Sequence, residues 1–178
     1  MAAPPSAPSR ATPPASADSA APGIAGGNAD TDTTADWQHS EFAATLESIS
    51  GATARLRRIL PSALPAQARD AVELGVAEAL SNVVRHGYDP DAAGRIALSW
   101  RLRRDGAFEV LVQDWGRPVP PGCLEEGCGP PFAFDPHRIA ALPEGGMGVA
   151  LIRLSFDEVE YRRVGDRNDL RLLRRSER

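Results

Sequence analysis

Hydrophobic side chains recur at two different spacings along this chain, and the change of spacing divides it into elements. From Pro65 to about His86, Val72, Val76, Ala79, Leu80 and Val83 fall on one side at 3.6-residue spacing, which predicts a helix facing a core. Gly87 and the turn-like Asp89-Pro90-Asp91 end it. Upstream, residues 51–60 (G-A-T-A-R-L-R-R-I-L) read as a shorter helix stopped by Pro61, and residues 37–45 as an edge strand. Beyond Arg95 the spacing drops to two. Ile96, Leu98, Trp100 and Leu102 share one face of a strand, with Arg95, Ser99, Arg101 and Arg103 on the other. Asp105-Gly106 turns this strand into a second, where Phe108, Val110 and Val112 alternate with Glu109 and Gln113. From Trp115 to about Glu144 the chain is rich in Pro and Gly and has no period, as expected of a long functional loop or lid. A short helix over Met147 to Ser155 and two strands near 157–164 and 168–174, joined at Gly165-Asp166, close the pattern. Helices, hairpin, loop, helix and hairpin in this order predict an α+β fold: a two-layer sandwich with helices on one face of a largely antiparallel mixed sheet.

Composition adds a boundary and several exclusions. Residues 1–35 are mainly Ala, Pro, Ser, Thr, Gly and Asp, with Ile24 the only large aliphatic residue between Met1 and Trp37. Such a stretch buries too little surface to offset its ordering entropy, so a disordered tail is expected ahead of a folded domain over 36–178. All 20 basic residues are arginine, which excludes a Walker-type phosphate loop with its required lysine. A net charge of -4 offers no electrostatic footprint for nucleic acid. No apolar run has the length of a membrane span and the start lacks a signal-peptide core, so a cytoplasmic protein is expected. Cys123 and Cys128, with His137 nearby, make three candidate ligands at most, and no second cysteine pair completes a zinc site.

Three separated features carry candidate chemistry. On the long helix, Glu78, Asn82 and His86 lie at i, i+4 and i+8, a stripe about 80° wide that borders the apolar one. Gly75 lies along the same stripe, where a helix-interior glycine implies a close approach. Asp114-Trp115-Gly116-Arg117-Pro118 follows directly on a strand. A carboxylate there is placed to accept from an amino group such as that of adenine, and Gly116 to admit a flat ring. Gly145-Gly146-Met147-Gly148 precedes the short helix, where exposed backbone N–H groups cradle phosphate. No βαβ unit surrounds these glycines, which argues against a Rossmann site.

A helix with E-x-x-x-N, a strand ending D-x-G and a long loop ending G-G-x-G together resemble the Bergerat-type ATPase superfamily of gyrase B, MutL and the histidine kinases. The stretches E-A-L-S-N-V-V-R-H-G-Y, E-G-G-M-G-V-A-L-I, D-E-V-E-Y and R-N-D-L are similar to the anti-sigma-factor serine/threonine kinase branch, over about residues 37–175. The resemblance implies that Asn82 coordinates Mg²⁺ bridging the ATP phosphates and that Glu78 is the general base for a serine or threonine hydroxyl. It implies that Asp114 reads the adenine amino group with Gly116 packed on the base, and that Gly145, Gly146 and Gly148 let the lid close on the phosphates. Arg117 or Arg85 is then the candidate phosphate contact by position, and His86 either a helix cap or a site residue. The implied partners are an anti-anti-sigma factor as substrate and a sigma factor that the kinase sequesters, with a homodimer as the usual assembly.

The chain departs from the wider superfamily at Pro118, where glycine is common, and at the proline-rich lid with its Cys123 to Cys128 segment, which stiffens it. Two other readings remain in view: a non-catalytic binding module, with or without ATP, and a histidine kinase. Retention of Glu78 favours a kinase over a pure binder, and His39 and His137 lie outside any helical hairpin suited to a phospho-acceptor.

Overall fold

Five strands in the order β1-β2-β3-β5-β4, every neighbouring pair antiparallel, form one sheet. They are β1 (Gln38–Ala43), β2 (Arg95–Leu102), β3 (Phe108–Asp114), β4 (Glu158–Val164) and β5 (Arg167–Arg174). Helices α1 (Leu46–Ile59), α2 (Ala66–Asn82) and α3 (Met147–Ser155) complete the domain. The computed structural model describes residues 36–62, 64–89, 91–124 and 147–176. The tail at 1–35, most of the long loop, Gly145 and Gly146, Cys128 and His137 lie outside these. The two-layer α+β expectation holds, but the sheet is wholly antiparallel among the described strands instead of mixed.

Helix α1 begins at Leu46, five residues ahead of the expected Gly51, because Thr45 caps it: its hydroxyl accepts from the Ser48 N–H at 3.2 Å. Gly51 faces open space and neither starts nor breaks the helix. The core stripe of α2 is as expected, with Val72, Val76, Ala79 and Leu80 buried. The α-helix does not continue to His86. It ends at Asn82 and passes into a π-helical turn, Val83–Gly87, a form concentrated at functional sites.

The core lies between the helices and one sheet face. Ile96, Leu98 and Trp100 of β2, Val110 and Val112 of β3 and Leu172 of β5 meet Leu56, Val72, Val76, Leu80 and Ile152 there. Glycine 75 marks the crossing of α2 and α3. A Cβ on it would stand 2.6 Å from Ser155 Cβ and 2.7 Å from the Phe156 ring, so the close approach expected at this position is made by the end of α3.

The other sheet face departs from the simple alternation. Glu109 is only 1% exposed and Gln113 and Asp169 are also buried. Glu109 is held at 2.6 Å by Arg101 and 2.5 Å by Arg171, and Trp37 lies 4.6 Å over Arg101. Burial disfavours the Arg171 charge, but hydrogen bonding and attraction to Glu109, with Glu160 behind, outweigh it and hold the guanidinium above its ordinary range. Gln113 Nε2 donates to Asp169 Oδ1 at 2.8 Å, and Arg167 grips the same carboxylate at 2.7 and 3.0 Å. Long arginine stems thus cover this face of β3 and β5.

Candidate functional site

Helix α2 presents Glu78 and Asn82 one turn apart, both half-buried, and the first turn of α3 closes on them. Gly148 is the contact. A Cβ there would lie 2.9 Å from Glu78 Oε2, 3.3 Å from Asn82 Oδ1 and 3.4 Å from Asn82 Nδ2. Two motifs 66 or more residues apart in sequence therefore meet through a space that a single methyl would fill. The donors gathered are a carboxylate and an amide carbonyl, the hard oxygen ligands that suit Mg²⁺ when phosphate oxygens and water complete the shell. These residues fit the ion that the resemblance implies. Among the described residues no group of three or more His, Cys, Asp or Glu could hold a metal by itself.

Beside this junction opens a cavity of about 430 Å³. Its wall is mostly apolar, with Ala79, Val83, Val149, Ile152 and Leu170 contributing, and it carries a few polar groups that include Asn82, Asp114 and Asn168. That mixture of apolar wall and sparse, fixed polar groups is typical of small-molecule sites.

Asp114 ends β3 inside this wall and is buried. Its Oδ1 accepts from the Gly116 N–H and from Asn168 Nδ2, both at 2.8 Å. Burial pushes its carboxyl above the ordinary range. The hydrogen bonds from Asn168 and Gly116 and the charge of Arg163 on β4 oppose the rise, and the neighbouring Asp169 on β5 adds to it. With Oδ1 engaged twice, Oδ2 is the oxygen left for a ligand's donor, and an ionised carboxylate is an acceptor only.

Backbone contact fixes this end of the cavity. A Cβ on Gly116 would press into the Gly87 carbonyl, whose oxygen accepts from the Arg117 N–H at 2.7 Å. The turn after β3 is thereby laid on the π turn after α2, and only glycine permits it. Tyr88 staples the same region. Its hydroxyl accepts from the Trp115 N–H at 2.9 Å and donates to the Arg95 carbonyl at 2.8 Å, while its ring packs where Gly94 lacks a side chain.

The remaining predicted residues fall in different places. His86 is exposed and lies on the cavity wall. Arg117 is also on that wall and exposed, and its guanidinium pairs with Asp89. Arg85 is exposed on the π turn and takes no part in the described wall. Gly145 and Gly146 are outside the described residues. Tyr88, Tyr161 and Asn168 lie within the stretches that carry the resemblance but take no role from sequence alone, and Arg163 lies in none of them. Asn168 had a signal: it shares the period-two face of Leu170 and Leu172, so a side chain with poor strand preference points into an apolar layer. Cys123 lines the cavity as a free, half-buried thiol.

A Glu/Asn pair on one helix, a glycine turn closing on it, and a buried aspartate at a strand end, all on a two-layer antiparallel sandwich, define an ATPase domain of the Bergerat class. The chain belongs to the histidine kinase-like ATPase domain family, whose model matches residues 42–174. Within it the chain is similar to the serine-protein kinase RsbW of Halalkalibacterium halodurans, 37% identical over 91 residues, 51% of this chain and 53% of that protein. It is similar to RsbW of Bacillus subtilis strain 168, 32% identical over 89 residues and covering 49% and 53%. The anti-sigma F factor of Heyndrickxia coagulans is 32% identical over 85 residues, covering 48% and 54%. The chain thus spans about half the length of the relatives it matches. Its fold is similar to part of a solved chain that comprises the RsbU and RsbW domains of a Mycobacterium tuberculosis protein, with a TM-score of 0.56 at 19% identity, covering 81% of this chain and 33% of that one. Among the described residues no helix is long and apolar enough to cross a membrane.

Proposed function

We propose that this chain binds ATP in the cavity between α2, α3 and the end of β3 and transfers the γ-phosphoryl group to a serine or threonine of a partner protein, acting as an anti-sigma factor. The observation that carries this reading is the convergence of Glu78, Asn82 and Gly148 beside a cavity that also holds an oriented, buried carboxylate. Similarity to RsbW kinases and to an anti-sigma F factor supports the choice of acceptor and partners. The substrate is an anti-anti-sigma factor, the sequestered protein a sigma factor, the assembly a homodimer and the compartment the cytoplasm. Residues 1–35 form a tail apart from the kinase domain over 36–178.

In this reading Asp114 accepts from the adenine amino group and Gly116 packs on the base. Asn82 holds Mg²⁺, which when bound neutralises phosphate charge. Gly145, Gly146 and Gly148 bring the lid onto the phosphates, with Arg117 the arginine better placed than Arg85 to reach them. Glu78 takes the proton of the acceptor hydroxyl as its oxygen bonds to the γ-phosphorus and the bond to the β-phosphate oxygen breaks. A titration of Mg-ATP followed by calorimetry tests the site. The wild type is expected to bind with a Mg²⁺-dependent affinity, and Asn82→Ala to bind more weakly and without that dependence. A folded wild type that binds no nucleotide sinks the reading.

Gly148→Ala separates packing from chemistry. Alanine favours the helix by up to about 1 kcal/mol over glycine, so thermal stability should hold or rise. Its methyl displaces the Glu78 carboxylate and crowds the Asn82 amide. Phosphotransfer is expected to fall on the order of a hundredfold, the scale of a 1 Å misplacement. A melt and a phosphorylation assay on one preparation check both halves.

A further inference from the structure

The amide of Asn168 on β5 is 2% exposed and has all its hydrogen-bonding capacity filled. Its Nδ2 donates to Asp114 Oδ1 at 2.8 Å and lies 3.1 Å from the Arg117 carbonyl and 3.3 Å from that of Gly116. Its Oδ1 accepts from the Tyr161 hydroxyl and from Arg163 Nη1, both at 2.7 Å. The orientation of this amide is forced. Arginine only donates, and the Tyr161 hydroxyl accepts from the Val119 N–H at 3.1 Å and so spends its proton on Asn168. The oxygen must therefore face Tyr161 and Arg163, and the nitrogen must face Asp114.

One amide thus touches two things that the proposed chemistry needs. Asp114 is the base-reading carboxylate, and 116–119 is the start of the segment leading into the long loop. We propose that Asn168 is a positioning residue that orients the Asp114 carboxylate and, through Tyr161, seats the first turn of the lid on the same sheet. The consequence for nucleotide recognition rests on the ATP-binding reading; the clamp itself does not.

Arg163 Nη1 also donates to the Gly116 carbonyl at 3.2 Å, so β4 contributes to the seat from a second side. The groups facing Asp114 are accordingly Asn168 and Asp169 from β5, Arg163 from β4, and the Gly116 N–H from its own turn. Of these, Asn168 is the side chain that donates directly to the Asp114 carboxylate. Its loss frees that carboxylate to rotate and leaves two carbonyls and a guanidinium without their shared partner.

The test uses the full chain and two variants with different predicted signatures. Asn168→Asp keeps an acceptor for Tyr161 and Arg163 but sets a second carboxylate against Asp114, so the pair shares a proton. In nucleotide-free protein, the carbon-13 titration of the Asp114 carboxyl should move to higher pH. Affinity for ATP at neutral pH should fall about tenfold to a hundredfold. Tyr161→Phe removes only the lid-side hydroxyl. It should leave the Asp114 titration near its wild-type position while weakening ATP severalfold, by the loss of the two neutral hydrogen bonds to Val119 and Asn168. If Asn168→Asp fails to fold, Asn168→Ser, too short to span both sides, supplies the same titration. The proposal is overturned if the Asp114 titration does not move when Asn168 is replaced, or if Tyr161→Phe moves it equally, because general loosening would then explain both. A titration that moves as expected in a chain that binds no nucleotide supports the clamp and removes the ATP-binding reading instead.

Discussion

Glu78→Gln is expected to leave Mg-ATP binding nearly intact and to reduce phosphorylation of the partner protein by about a hundredfold to ten-thousandfold, the usual contribution of a general base. Glutamine has the same shape, so the contact with Gly148 and the crossing of α2 and α3 should persist. What changes is the ability to take a proton. Glu78 Oε2 lies against the α3 turn that begins where the glycine-rich segment ends, one helical turn from Asn82. A carboxylate in that place has little value to a protein that merely holds nucleotide. The measurement is a paired one, calorimetric affinity beside single-turnover phosphotransfer to an anti-anti-sigma partner. Loss of transfer with retained affinity assigns the base. Equal loss of both makes Glu78 part of the packing between α2 and α3, and preserved transfer moves the base elsewhere.

Much of this arrangement was legible in the sequence because it depends on periodicity. The α2 stripe, the two hairpins and the helix after the glycines follow from spacings of 3.6 and 2 and from turns at Asp105-Gly106 and Gly165-Asp166. Less legible was whatever depends on partners distant in the chain. The start of α1 is set by a Thr45 to Ser48 cap, a local signal that the glycine at 51 obscured. The π turn after Asn82 lets Gly87 meet the backbone of Gly116, and no local pattern in V-V-R-H-G announces that contact. Glu109 and Gln113 alternate with the apolar residues of β3, and arginines and an aspartate from β2 and β5 cover them. The pattern of polar and apolar residues gives the face of a strand, but what lies over that face is a tertiary fact. The site shows the same division. Glu78, Asn82, Asp114, Gly116 and Gly148 stood out by type and spacing, while Tyr88, Tyr161, Arg163 and Asn168 orient them through hydrogen bonds spanning 5 to 54 residues.

Asp114→Asn should abolish most nucleotide binding while leaving the fold as stable as before or more so. The carboxyl of Asp114 titrates above its ordinary range chiefly because it is buried. A group raised in this way contributes stability below the ordinary carboxylate range and loses that contribution as pH climbs through its raised value, so at neutral pH the ionised side chain is a cost to folding. Asparagine removes the charge and keeps an oxygen to accept from Gly116 and Asn168. It also turns a donor toward the cavity, where in the proposed ATP complex the adenine amino group would itself be a donor. Loss of a hydrogen bond to a charged acceptor, with an unpaired donor in its place, is expected to weaken ATP by at least about tenfold to a hundredfold. Acid should mimic the substitution in the wild type: affinity falls as Asp114 protonates, starting above the pH at which an ordinary carboxylate would, and the variant's lower affinity stays flat across that interval. Thermal melts at neutral pH beside binding curves taken from neutral into the acid range would decide the matter. A variant that loses stability together with binding would make the Asp114 charge a structural element held by Arg163. A variant that loses binding alone identifies a carboxylate kept ionised against its own folding preference, which is the expected mark of a residue retained for its ligand.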